Sequence, residues 1–130
     1  MASIQRTIPL NAEPADAWAA LRDWPAVHER VARGFVVDTT MDGDDRIVTF
    51  FNGAVAREVL VALDDENRRL VWSVVGGPYS HHNSAAQVVA ADDGARLVWT
   101  TDFLPHDLAD RMSAMMDRGA QAISDTLGGR

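Results

Sequence analysis

The chemistry open to this chain rests on imidazole, carboxylate and hydroxyl groups, since its 130 residues include four histidines, nineteen acidic residues and no cysteine. Disulfides, thiolate catalysis and thiolate-held zinc or iron–sulfur centres are thereby excluded. Two histidines stand side by side in "GPYSHHNSAAQVV" (77–89). They could form a metal site, an acid–base pair, or two imidazoles in unrelated surroundings. The segment reads as the start of a strand, where successive side chains project to opposite faces. His81 and His82 therefore do not chelate one ion unless a bulge intervenes. His28 and His106 fall near expected helix ends and share no site with them. No metal centre and no cofactor are expected.

These residues need elements to position them. "ASIQRTIPL" suits an opening strand. "NAEPADAWAALRDW" reads as a helix with Asn11 as its cap and Pro14 in its first turn. Pro25 interrupts it, and "AVHERVA" makes a second short helix before Gly34. From Phe35 to Leu104 the chain alternates apolar runs with turns. These are Asp42-Gly43, an Asn52-Gly53 hairpin of type I′, the acidic turn at 64–67, Gly76-Gly77-Pro78 and Asp92-Asp93-Gly94. Short turns between consecutive strands imply an antiparallel meander. Pro105 stops the last strand, and Asp107 is placed to cap a final helix of ~20 residues and ~30 Å. Its stripe is Leu108, Met112, Met115, Met116, Gly119, Ile123 and Leu127. The expected architecture is α+β in a single domain over 1–130: strand, two helices, six strands, long helix.

A sheet with one apolar face must cover it, and only the final helix is large enough. Methionine adapts to irregular volumes and Gly119 contributes no side chain, so the space beneath is either a flexibly packed core or a cavity. Alternation turns Leu97, Trp99, Thr101 and Phe103 inward, with Leu70, Trp72 and Val74, and with His82, Ser84, Ala86, Val88 and Ala90. His81 then faces out. His82 is either a core histidine bonded to a neighbouring strand or to Ser84, or a polar group meeting a ligand or a proton. Trp72 and Trp99 would make a flat aromatic wall. Tyr79, the one tyrosine, sits beside the Gly-Gly-Pro turn, where a cavity mouth would lie.

The order of elements, with "AEPADAWAALRDW", "REVLVALDDENRRLVWSVVGGP" and "LVWTTDFLP", resembles the START-like SRPBCC superfamily and within it the polyketide cyclase/dehydrase-like group. The resemblance covers essentially the whole chain. It implies a helix-grip fold, a bent antiparallel sheet of about seven strands around the C-terminal helix, and a mostly apolar cavity for small lipophilic ligands. It also draws Glu58 in as a candidate partner for His82, because the family often carries glutamate in this strand. Alternation argues the other way: Val55, Val59, Val61 and Leu63 are the more apolar set, which turns Glu58 outward. A buried Glu58 would require a partner such as His82, or a raised pKa.

Net charge is −7, and all twelve basic residues are arginine. Without clustered cations, nucleic acid and anionic membrane are poor partners. The acidic clusters 41–46, 63–69 and 91–96 read as solvated turns. No apolar run reaches the ~20 residues of a membrane span, and "MASIQRTIPL" lacks a signal peptide's apolar core, so a cytoplasmic location without membrane insertion is expected. No GxSxG, GxGxxG, P-loop or HExxH pattern is present.

The expected function is binding of a small hydrophobic or aromatic molecule between sheet and helix. Trp72, Trp99, Phe103, Met112 and Met116 supply apolar walls, and His82 with Ser84 the polar end. The rival is an enzyme resembling polyketide cyclase/dehydrases, closing or dehydrating a bound polyketide-type chain with His82 and Glu58 in the chemistry. A third reading is an interaction protein with a collapsed cavity. Monomer and homodimer both fit.

Overall fold

The computed structural model describes residues 2–128. β1 (Ala2–Leu10) leads into α1 (Pro14–Leu21), a single 3₁₀ turn at Trp24–Ala26 and the short α2 (Val27–Arg30). Six strands follow: β2 (Val36–Asp42), β3 (Asp45–Phe50), β4 (Val55–Asp64), β5 (Arg69–Val75), β6 (His81–Ala91) and β7 (Gly94–Leu104). A 3₁₀ turn at His106–Leu108 precedes α3 (Ala109–Leu127). The seven strands form one sheet in the order β1-β7-β6-β5-β4-β3-β2, and all of its strand pairs are antiparallel. This is the helix-grip α+β architecture.

Helix boundaries differ from expectation. Glu13, not Asn11, is the N-cap of α1, with Pro14 at the first position. Asp107 lies within the preceding 3₁₀ turn, and Leu108 precedes α3. None of these caps uses a side chain. Pro14 and the 3₁₀ turn set the helix starts through backbone geometry instead, where φ is already helical and an N–H is dispensable. At its far end α3 stops at Gly128, which adopts φ 87°, a left-handed conformation that glycine takes freely.

The two short helices are pinned to the turns of the meander. Trp18 Nε1–H donates to Asp65 Oδ1 at 2.9 Å and Arg22 Nε–H to the same oxygen at 2.8 Å. Trp24 Nε1–H donates to the Asp44 carbonyl at 3.0 Å. The acidic turns thus hold the helical segment across one end of the sheet. The main core gathers there: Leu10 and Leu97 are wholly buried, with Trp18, Trp24 and Phe35 packed around them.

One turn sets the faces of half the sheet. The β3–β4 connection spans 51–54 and is closed around the three residues 51–53, with Gly53 N–H donating to Phe50 O (2.9 Å) and Phe50 N–H to Ala54 O (2.8 Å). Gly53 takes φ 85°, whereas Asn52 is not left-handed, so the turn is not type I′. The resulting register places Arg46 opposite Glu58. A two-residue loop would have set Arg46 against Val59, and a one-residue slip exchanges the two faces of a strand. Ala56, Glu58 and Leu60 accordingly face inward, while Val55 (63% exposed) and Val61 (57%) face out. The expectation for Glu58 is reversed. A bulge between Leu60 and Ala62 then returns Leu63 to the core.

Candidate functional site

Between the inner face of the sheet and α3 lies a cavity of about 490 Å³. The helical segment closes one end through Leu21, Val27, Val31 and Ala32. At the other end lie the β3–β4 loop (Asn52, Ala54), the β5–β6 turn (Gly77, Pro78, Tyr79) and Arg111 of α3. α3 lines the space chiefly with Met112, Met115 and Met116, beside Arg111, Ala114 and Ile123. Gly119 lies outside the lining but is required next to it. A Cβ there would stand 2.9 Å from the Trp99 ring and 3.1 Å from Phe35, so the bare backbone lets the indole lie against the helix.

Most of the residues expected at the cavity are brought to it: Trp72, His82, Ser84, Trp99, Met112 and Met116 all line the hollow. Phe103 does not. It is 0% exposed, in a second cluster with Met112 and Met116, and its ring is core rather than wall. Strand alternation told which face it occupies, but depth beneath the cavity surface is set by the neighbours stacked upon it.

His82 occupies a break in the sheet. Paired residues of β5 and β6 run only from Arg69↔Gln87 to Trp72↔Ser84. Beyond that point side chains take over: Val74 N–H donates to His82 Nδ1 at 3.0 Å, and the Ser73 hydroxyl donates to the His82 carbonyl. The accepting Nδ1 carries no hydrogen, so the neutral ring bears its proton on Nε2. The residue is 8% exposed, and Tyr79 packs edge-on at 4.9 Å between ring centroids. Burial, and secondarily the charge of His81, lower its pKa from 6.5 to about 4. At neutral pH the imidazole is therefore uncharged. It offers the cavity an N–H donor, with no protein acceptor among the described residues. Ser84 is not its partner; the Ser84 hydroxyl pairs with that of Thr101 at 2.7 Å.

Glu58 and His82 both line the cavity, but no hydrogen bond joins them. Glu58 (7% exposed) instead accepts from Arg46 Nε at 2.8 Å. Arg46 (3% exposed) also donates through Nη1 to the Trp24 carbonyl at 3.1 Å, and its guanidinium lies 3.6 Å over the Trp24 ring. Desolvation lowers the Arg46 pKa, opposed by Glu58, and an arginine guanidinium stays charged in proteins. This ion pair was missed from sequence. Its signal was the loop length between Arg46 and Glu58, which decides whether the two meet.

The Tyr79 hydroxyl has no hydrogen-bond partner among the described residues, and burial raises its pKa; Arg111 pulls it down and Glu58 adds to the rise. Trp99 Nε1 is likewise buried without a partner. Among the described residues no three His, Asp or Glu side chains gather as a metal site. No helix among the described residues is long and apolar enough to cross a membrane.

Comparison with known proteins agrees with this geometry. Residues 1–128 match the family described as polyketide cyclase / dehydrase and lipid transport. No curated protein matches the chain. Among solved structures, protein XoxI from Bacillus cereus superposes with TM-score 0.85 at 15% identity, over 98% of this chain and 96% of the other. A Thermobifida fusca protein solved by NMR gives 0.75 at 25% identity, covering 98% and 89%. A START superfamily protein from Mycobacterium smegmatis gives 0.75 at 10% identity, with 96% of each chain covered. The likenesses to the Bacillus and Mycobacterium structures are likenesses of fold alone.

Proposed function

The chain belongs to the polyketide cyclase/dehydrase and lipid transport family, and we propose that it holds one small hydrophobic or aromatic molecule between the sheet and α3. The observation that carries this reading is the open volume of about 490 Å³, within the range of small-molecule sites. Its wall is mainly apolar, with Trp72 and Trp99 as flat surfaces and the methionines of α3 as an adaptable side. A few polar groups interrupt it: the His82 Nε2–H, the Ser84–Thr101 hydroxyl pair and the Arg46–Glu58 ion pair. Such a sparse polar set orients a ligand without outweighing apolar burial.

Tryptophan fluorescence and thermal stabilisation against a library of lipophilic compounds test the reading, with Ala86→Phe as the control. Ala86 lines the hollow, so an added ring fills it at modest cost to folding while displacing the ligand. Compounds that quench and stabilise the native chain are expected to fail on Ala86→Phe. Equal responses from both proteins would place binding outside the cavity and sink the proposal.

The rival reading, ring closure or dehydration of a bound polyketide-type chain, has one specific support. A neutral imidazole with Nδ1 occupied is suited to polarising a carbonyl through Nε2–H. It is not suited to abstracting a proton, since Nε2 is already protonated and Val74 N–H blocks the other nitrogen. His82→Gln would then abolish turnover of a polyketone while binding survives. Full activity in that variant removes His82 from any reaction.

A further inference from the structure

The charges lining the cavity do not cancel. Three arginines and one carboxylate reach its surface: Arg46, Arg57, Arg111 and Glu58. Arg46 is paired with Glu58, and Arg57 with Asp42 and Asp45. His82 is kept neutral by its burial, with Nδ1 accepting from Val74 N–H. Arg111 alone among the lining cations has no ion-pair partner within the described residues. Its acidic neighbours in sequence, Asp107 and Asp110, are exposed and do not line the hollow.

Its position makes this charge more telling. Arg111 stands in the first turn of the nineteen-residue α3, where the helix dipole already presents positive potential. A cation there is disfavoured by the helix itself, so helix stability does not account for it. Tyr79 lines the same mouth with a hydroxyl that no protein group engages. A single anionic group would meet both: a guanidinium fork and a phenolic O–H, at the rim of an otherwise apolar chamber.

We propose that the ligand is an apolar or aromatic monocarboxylate whose carbon body fills the hollow and whose carboxylate rests on Arg111 and the Tyr79 hydroxyl. The inference rests on the cavity reading above and adds the charge and orientation of the guest. The single carboxylate of Glu58 does not oppose it, since Arg46 compensates that charge at 2.8 Å. Arg111 is exposed, so its selectivity is that of a partly screened pair, about fivefold rather than hundredfold.

The test is calorimetric titration of the full chain at low ionic strength with matched pairs: 2-naphthoate against 2-naphthamide, and octanoate against octanamide. The wild type is expected to favour each acid about fivefold. Arg111→Gln should erase the preference with amide affinity unchanged, Arg111→Lys should restore part of it, and Tyr79→Phe should lose a smaller share. Arg118→Gln removes an equal charge from the residue stacked on Phe51, outside the lining, and should keep the preference. Acid and amide binding equally well would overturn the carboxylate inference and leave the cavity reading standing. A preference that survives Arg111→Gln places the carboxylate elsewhere and overturns it too. If no member of either pair binds, the cavity reading falls and the inference with it.

Discussion

Arg46 and Arg57 sit on neighbouring strands of one hairpin, and each reaches carboxylate oxygen at 2.7–2.8 Å. Arg46 faces the cavity, under a tryptophan ring and almost without contact with solvent. Arg57 faces outward at the rim, bridging Asp42 and Asp45 at the end of the adjoining hairpin. Equal distances conceal unequal energetics. In water a lost partner is replaced by solvent; in the dry wall nothing replaces it. The inner face of this sheet is therefore where charge is both costly and consequential, and the outer face is where it is nearly free.

The largest effect follows from removing one half of the inner pair. Arg46→Met leaves Glu58 buried and uncompensated, with an expected loss of about 3–5 kcal/mol in urea denaturation. Domain stabilities of about 5–15 kcal/mol make unfolding of this variant a real outcome. The double variant Arg46→Met/Glu58→Leu keeps the test sharp, because apolar replacement of a buried pair is often neutral. It should recover most of the loss. A double variant as unstable as the single one would mean that the guanidinium acts through Trp24 packing and its carbonyl, not through the charge of Glu58.

The same contrast is repeated along β6, where His81 is exposed and His82 buried. Unfolded, the His82 imidazole returns to its ordinary pKa of 6.5; folded, burial holds it at about 4. Between these values the unfolded chain binds more protons, so stability that is complete above pH 6.5 is lost as pH falls toward 4. The full loss is about 3 kcal/mol. Carboxylates titrate in the same window, so the readout is the difference between wild type and His82→Gln in midpoint against pH. The variant should be flatter from pH 6.5 to 4, and His81→Gln, which removes only the lesser cause, should change the slope slightly. Parallel profiles for wild type and His82→Gln would contradict a buried neutral imidazole.

These faces were unevenly legible in the sequence. In β6 and β7 alternation sorted the side chains correctly except for Ala90, which is exposed at the end of its strand, because both strands run in unbroken register from Ala91↔Gly94 to His81↔Leu104. In β4 it failed. The apolar count of Val55, Val59 and Val61 outweighed a lone Glu58, yet those valines are left partly or largely open. What decided the matter was one extra loop residue before Ala54, and the identity of the residue across the ladder. Neither is a property of β4 itself. The same limit applies to depth: Phe103 and Trp99 share a face, but only Trp99 reaches the hollow. The cavity was expected from family resemblance, since the methionine stripe fitted a filled core equally well, whereas its charged wall required pairing two strands.

The smallest expected effect is the one that most directly tests the contrast. By distance alone, the two contacts of Arg57, at 2.7 and 2.8 Å, rank with or above the Arg46 pair. The hydrogen bonds it donates to Asp42 and Asp45 also raise the Arg57 pKa, so by electrostatic attraction alone it is the better-held cation. Solvent reverses that ranking. Water competes for all three groups, salt screens them, and ordering the long side chain opposes the gain. Arg57→Gln should leave the urea midpoint indistinguishable from wild type, and any residual difference should vanish in 1 M salt, where screening acts over ~3 Å. A loss matching that of Arg46→Met, and surviving salt, would show that hydrogen-bond geometry rather than burial sets the worth of charge in this sheet.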